Sequence, residues 1–427
     1  MQHSTVGKTT RARGVVRGIA SVGVAVAAFA SQIAFAPASG AATVDRAGPG
    51  QRQLHDVTDS GEHPLPIRVR YHADLHGSVT RAGNTLMTCE EHKPPTYPPA
   101  APCRDAQRGV GRGIFNNNYN MRYVNADPGE FKLPPQEGGR YEKIYSSSSS
   151  QLKIPAKSTV KFARLYWGGT RGIGKTVLPL TRVDGVLFKA PDGKGYREVN
   201  TDRSGKDLGW MTGVGEGNDM EHGYQASADV TDIVRHAGAG NYVVADMDSV
   251  VLPHSWGGWT LVVAYENCDM PLRHVEVSDG FQIELPKAPP LTFTVKGLHT
   301  PKHGPIKAAL GFVAYDGDRT YTGDSASVQS DSNPRPTVLH TWDKPANDFM
   351  NSTIENQTPS DPVVRTPSYE NQMGYDSNVV DISRVVDNGD RSLAFTFETK
   401  DDGYQIGVVF SAVDLDKNDT PSASPSV

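Results

Sequence analysis

Apolar residues in this chain fall in short runs rather than at helical spacing. Residues 160–167 mix aromatic and aliphatic side chains and stop at Gly168-Gly169. Similar runs occupy 241–247, 259–265, 292–295, 308–315, 392–398 and 406–413. Each has the length of a strand and ends in Gly, Asp or Asn turn chemistry, so each predicts a β-strand. Two segments break the pattern. Val230, Ile233, Val234 and Ala237 follow an i, i+3, i+4, i+7 spacing, with Asp229 in front to accept first-turn N–H groups and Gly238 as a stop. Asp381-Ile382-Ser383-Arg384-Val385-Val386, stopped by Gly389, predicts a second short helix.

The two helix starts match each other, and so do their neighbours. The run 162–167 corresponds to 310–315, and 259–263 corresponds to 406–410, in the same order and at nearly the same offset. This predicts an internal duplication. The expected fold is all-β: two tandem antiparallel β-sandwich domains, each with one short helix, over 67–286 and 291–416. Three prolines in 285–290 mark the linker. Residues 43–66 read as a disordered leader and 417–427 as a disordered tail.

The N-terminus changes the picture by fixing a compartment. Lys8, Arg11, Arg13 and Arg17 precede an uncharged, largely apolar stretch from 18 to 35, which closes on small residues at 34–36 and 40–42. That order predicts a signal peptide over 1–42 and a secreted, extracellular protein. No later run is long and apolar enough to span a bilayer. The formal charge is −5. Removing the signal's four basic residues makes it more negative still, which argues against nucleic acid as a partner. Cys89 and Cys103 flank a Pro-rich loop and predict a disulfide, worth about 3 kcal/mol in the chain-entropy model. Cys268 is left over and reads as a partly buried bystander.

Several motifs carry candidate chemistry. Residues 169–176 fit the phosphate-loop pattern G-x-x-x-x-G-K-[ST], but the β-branched residues and the Asp184-Gly185 turn that follow do not make the required helix. A Gly-rich hairpin is the expectation. His72, Asp74 and His76 alternate along one strand face and present two imidazoles and a carboxylate suited to zinc, though one strand cannot wrap an ion by itself. Asp316, Asp318 and Asp324 supply hard oxygen ligands at calcium-like spacing without the rest of an EF-hand. Asp414, Asp416 and Asn418 form a weaker version, and turn capping is the plainer reading of both. Ser255 with His254 and Asp248 lacks a nucleophile elbow. Trp167, Trp256 and Trp259 offer a sugar-stacking face, but 167 and 259 lie in apolar runs and predict core. Ser146 to Ser150 reads as a loop leading into a strand. Catalytic residues and cofactors are therefore expected to be none, with calcium as the candidate ion.

One resemblance runs through the chain. Its blocks are Gly83-Asn84-Thr85-Leu86-Met87-Thr88-Cys89, the Asn116–Asn118 run, Ala163-Arg164-Leu165-Tyr166-Trp167-Gly168-Gly169, Ala228-Asp229-Val230-Thr231, Gly258-Trp259-Thr260-Leu261-Val262-Val263-Ala264-Tyr265 and Leu310-Gly311-Phe312-Val313-Ala314-Tyr315-Asp316-Gly317-Asp318. Together they resemble the N-terminal module of actinobacterial secreted, adhesin-like proteins that continue into DUF11-type repeats. The resemblance implies an extracellular β-sandwich at or near the cell surface, with no catalytic residues to carry over. The expected function is non-enzymatic: a structural or adhesion-type protein whose partner is a cell-surface polymer or an extracellular protein. A carbohydrate-binding or carbohydrate-hydrolysing β-sandwich is the alternative.

Overall fold

The computed structural model describes residues 61–96, 99–133, 139–201, 205–213, 215, 220–419 and 422–423. The expected signal peptide and most of the expected leader lie outside these residues. The described chain is all-β, and its strand pairs are antiparallel apart from one isolated bridge.

The main strands of the first half are β1 (Leu65–Thr85), β2 (Ser147–Leu152), β3 (Thr159–Ile173), β4 (Gly185–Lys189), β5 (Tyr196–Asn200), β6 (Leu208–Thr212), β7 (Glu221–Asp229), β8 (Gly240–Ala245) and β9 (Gly257–Glu266). A helix, α1 (Thr231–Ala237), sits between β7 and β8. The second half runs β10 (Leu272–Glu284), β11 (Leu291–Lys296), β12 (Ala308–Tyr315), β13 (Ser325–Ser330), β14 (Thr337–Val338), β15 (Tyr375–Asp381), β16 (Ser392–Glu398) and β17 (Tyr404–Asp414).

The pairing order shows the duplication strand by strand. The central path is β6-β7-β3-β9-β1-β10-β17-β12-β15. The outer sheets are β5-β4-β8-β2, extended past β2 by the short strand Arg365–Thr366, and β11-β16-β13-β14. Setting β6 aside, β7-β3-β9-β1 over β5-β4-β8-β2 has the same connectivity as β15-β12-β17-β10 over β14-β13-β16-β11. Each set is an eight-stranded jelly roll. β10 opens the second roll, so the Pro-rich stretch 285–290 joins β10 to β11 within it rather than separating the two.

The two rolls are not independent beads. Residues 77–85 of β1 pair with β9, while its residues 65–76 pair with β10. The central sheets are therefore covered twice. Leu165 and Trp167 of β3 point into the first roll's core, and Leu310 and Phe312 of β12 into the second's. The alternate residues, Phe162 and Tyr166, Val313 and Tyr315, meet in a third core between the rolls. Strands buried on both faces favour continuous apolar runs, which 308–315 is and which 160–167 approaches, broken only by Lys161 and Arg164. Outer strands of the second roll bury one face and alternate, as in β13 and β16.

Glycine allows the two central sheets to approach. A Cβ on Gly258 would lie 2.6 Å from the Tyr375 ring, and one on Gly168 would lie 2.8 Å from the Tyr315 ring. Buried polar groups fix the alignment. Tyr315 donates to Gln225 Oε1 at 2.8 Å, and Gln225 Nε2 donates to the Gly280 carbonyl at 2.6 Å. Arg70 bonds Asp207 at 2.7 Å and Asp279 at 2.8 Å, while Tyr166 donates to Asp279 at 3.0 Å.

Four expectations change. The segment after Asp381 is a series of turns, not a helix. It begins like α1: Asp229 Oδ1 accepts Thr231 N at 2.8 Å, and Asp381 Oδ1 accepts Ser383 N at 2.8 Å. Asp390 Oδ2 then accepts Asp387 N at 2.7 Å, which favours a turn over a further helical turn. The leader is ordered from Gly61: His63 exchanges backbone bonds with Trp210, and β1 begins at Leu65. In the tail, Ser422–Ala423 pairs with β1. The serine run also differs, since 147–150 belong to strand β2 and are buried. Ser147 Oγ donates to Asn125 Oδ1 at 2.6 Å, and Ser148 Oγ accepts the Trp259 indole at 2.9 Å.

The glycine contacts give a direct test. Gly258→Val should destabilise the protein by about 1–3 kcal/mol or more through overpacking against Tyr375. Gly129→Ala, where a Cβ meets nothing within 4 Å, should change stability by less than about 0.5 kcal/mol. Urea unfolding of both variants checks the pair.

Candidate functional site

The sequence candidates Asp316, Asp318 and Asp324 lie in the connection from β12 to β13, and the fold brings further acids to them. Asp316 has φ 64, a left-handed conformation that turns the chain immediately after β12. Asp348 comes from the connection after β14, Asp402 from the turn between β16 and β17, and Glu221 from the start of β7 in the other roll. Asp316, Asp318, Asp324, Asp348 and Glu221 are buried, with Asp402 half-buried beside them.

Some of their oxygens are satisfied locally. Asp324 Oδ2 accepts Met350 N, Asp348 Oδ2 accepts Thr320 N at 3.1 Å, and Asp402 Oδ1 accepts Gly403 N at 3.0 Å. Asp316 lies beside Glu221, whose carboxylate helps to raise it above the usual carboxylate range. Asp318 Oδ1 and Asp348 Oδ1 are buried with no hydrogen-bond partner. Nearby cations have other partners: Lys344 Nζ lies 2.9 Å from Asp376, and Arg319 is 3.0 Å from Asp343. His254 Nδ1 is 3.4 Å from Glu221.

Burial therefore holds the five aspartates toward the neutral form. It pushes Asp348 up to about 7 and Asp402 up to about 8, with the neighbouring carboxylates adding to the shift. Asp316 and Asp318 are raised well above the usual carboxylate range for the same reasons. The all-oxygen donor set suits a hard cation. Among the described residues, no three His, Cys, Asp or Glu side chains are arranged to coordinate a metal ion directly.

The rim of this end is aromatic. Tyr321 and Trp342 are exposed, and Tyr321 meets Phe115 edge-on with ring centroids 6.0 Å apart. Trp342 precedes Asp343, the partner of Arg319, so chain connectivity places it in the same loop group. Phe115 lies beyond the disulfide loop, and the Cys89–Cys103 bond is present as expected.

The other sequence candidates are used for structure. Asp74 accepts from His274 Nδ1 across the β1–β10 pair at 2.7 Å, and His76 Nδ1 meets the Met270 carbonyl at 2.9 Å. The phosphate-loop pattern is a tight hairpin: Ile173 pairs with Thr176 around Gly174 and Lys175. Asp248 binds Arg182 at 2.8 Å and Tyr145 at 2.7 Å, while buried Ser255 Oγ accepts Leu252 N at 3.3 Å. Trp167, Trp256 and Trp259 are fully buried. Asp414 pairs with Arg273 at 2.8 Å, and Asp416 accepts Asn418 N at 3.0 Å in a turn. Cys268 is exposed rather than partly buried. A shallow groove of about 420 Å³ lies by Asp127, Tyr141 and Tyr196, where Lys189 meets Asp127 at 2.6 Å.

Sequence reasoning missed Glu221, Asp348, Asp402, Tyr321 and Trp342. Asp402-Gly403 carries a turn signal. Nothing local to Glu221 places it beside acids about a hundred residues away.

No family model matches the chain, and no curated protein matches it. Among solved structures it is similar to the major capsid protein P2 from Bacteriophage PM2, at 12% identity over 64% of this chain and 94% of that one, with a TM-score of 0.19. A likeness that weak carries no argument about fold or function.

His274 supplies a pH test. Burial opposes its charge, but the hydrogen bond to Asp74 and the carboxylate of Glu276, 3.6 Å from Nε2, outweigh that and raise it to about 9. A pKa raised above the unfolded value of about 6.5 stabilises the fold fully below that pH and loses the contribution as pH rises through about 9. Melting temperature should therefore fall between pH 6.5 and 9 in the wild type, and the fall should be smaller in His274→Gln. Equal slopes in the two proteins would remove His274 as the cause.

Proposed function

We propose that this is an extracellular, non-enzymatic protein of structural or adhesive type, which contacts a cell-surface polymer or another extracellular protein through its loop ends. The observation that carries the reading is where the candidate reactive side chains have gone. Asp74, Asp248, Asp414 and His76 each hold the scaffold together. Two rolls packed face to face leave loops as the variable surface, and loops carry recognition. The Cys89–Cys103 bond favours an oxidising compartment. Among the described residues no helix is long and apolar enough to cross a membrane.

A second reading has its own support. Exposed Tyr321 and Trp342 beside buried carboxylates have the makings of a saccharide platform, since flat aromatic faces stack on sugar rings. Fold alone does not choose, because jelly rolls host lectins and shell proteins alike.

Binding of labelled protein to whole cells and to a glycan array separates the readings. Retention on cells without release of reducing sugar supports the adhesive role. Release of reducing sugar would overturn it. Array signal lost more than about tenfold in the Tyr321→Ala/Trp342→Ala double variant would favour the saccharide reading. N-terminal sequencing of protein from the medium should find a start just after Ala36 or Ala42; an uncleaved chain confined to the cytosol would defeat the extracellular assignment.

A further inference from the structure

The acid cluster poses an energetic problem that the protein interior does not solve. Taking a carboxylate out of water without a countercharge costs several kcal/mol, so buried acids are normally paired or metal-bound. Here five acids are buried and a sixth lies at the rim, drawn from four separate segments of chain. Lys344 is committed to Asp376, Phe349 O and Asn351 Oδ1, and Arg319 is committed to Asp343. Deep inside, Asp318 Oδ1 and Asp348 Oδ1 have no hydrogen donor at all. Asp318 is the centre of the group, acting electrostatically on or with Glu221, Asp324, Asp348 and Asp402.

We propose that Glu221, Asp316, Asp318, Asp324, Asp348 and Asp402 form a site for a hard divalent cation, with calcium the best fit, and that the ion ties the two jelly rolls together at one end of their shared face. Calcium takes six to eight oxygens from carboxylates, carbonyls and water in a flexible shell. The cluster's own donors are all oxygens, with the His254 imidazole 3.4 Å from Glu221 beside them. That composition disfavours zinc, which prefers nitrogen and sulfur. The side chains are not arranged to coordinate directly, so water or side-chain rotation completes the shell. This tolerance favours calcium over magnesium, which demands a near-ideal octahedron. Glu221 gives the site its structural consequence, because it belongs to the first roll and the five aspartates to the second. The inference does not depend on the adhesive reading, since a cation can brace the scaffold whatever the protein contacts.

The test uses the purified full-length mature protein at pH 7.5. Thermal unfolding is followed in chelator, in millimolar calcium and in millimolar magnesium, with calcium stoichiometry measured by equilibrium dialysis. The expected result is one calcium per chain and a melting temperature that climbs with the logarithm of calcium concentration, with a smaller response to magnesium. Asp318→Asn and Asp402→Asn should each lose most of the calcium response. Asp318→Asn should also melt no lower than wild type in chelator, because an amide is not subject to the cost of burying an ionisable acid among other acids. Asp416→Asn, in the exposed turn, should keep the full response. If Asp318→Asn does not fold, the rim variant Asp402→Asn gives the same reading. No calcium response in the wild type, or a response retained in both site variants, would overturn the proposal.

Discussion

The structure depends on one packing event, the burial of two central sheets against each other. Each has a second face already covered by its own outer sheet, so side chains on both sides of β3, β9, β12 and β17 are withdrawn from water. That arrangement requires close complementarity, because interiors pack at crystal-like density. The chain meets it by setting glycines against aromatics: Gly258 under Tyr375 and Gly168 under Tyr315. The approach also forces polar groups into the interface, where they must find partners. Thr260 meets Tyr375 and Ser377 at 2.6 and 2.7 Å, and Arg81 donates to the Ser377 carbonyl. These bonds fix which residue faces which, a role apolar contact performs less sharply.

The repeat extends to individual hydrogen bonds. In the first roll, Val230 N donates to the Ala163 carbonyl and Thr231 Oγ1 accepts Ala163 N at 2.9 Å. In the second, Ile382 N donates to the Ala308 carbonyl and Ser383 Oγ accepts Ala308 N at 3.0 Å. One clasp thus pins the end of β7 to β3 and the end of β15 to β12. Beyond the clasp the copies diverge: the first continues as α1 and the second turns back. The disulfide loop belongs to the first roll, and five of the six clustered acids belong to the second. Chemistry has been added to loops while the strand framework has stayed paired.

Two kinds of buried charge coexist and differ in their consequences. Arg70, Arg164, Asp207 and Asp279 balance one another, with Arg164 to Asp207 at 2.6 Å, and form a closed network between the rolls. The acid cluster has no such balance, and its aspartates are held toward neutrality by their own surroundings. A balanced network defines geometry; an unbalanced one makes the fold sensitive to whatever supplies the missing charge.

The sequence by itself determined strands such as β3, β9, β12 and β17, the all-β class, the disulfide and the order of the two copies, because apolar strand runs, Asp-initiated turns and short cysteine loops are local properties. Even the double coverage of the central sheets was written in the contrast between the unbroken run at 308–315 and the alternation at 392–398, although either reads as a strand when taken alone. Tertiary structure alone decided that the copies share one face, that β1 serves both, and that 382–386 becomes a turn. It also decided the company of Asp318. Asp316 and Asp324 were legible from spacing, whereas Glu221, Asp348 and Asp402 reach it through loop closures spanning tens to hundreds of residues. No local pattern encodes such closures; they follow from the burial of distant apolar faces against each other.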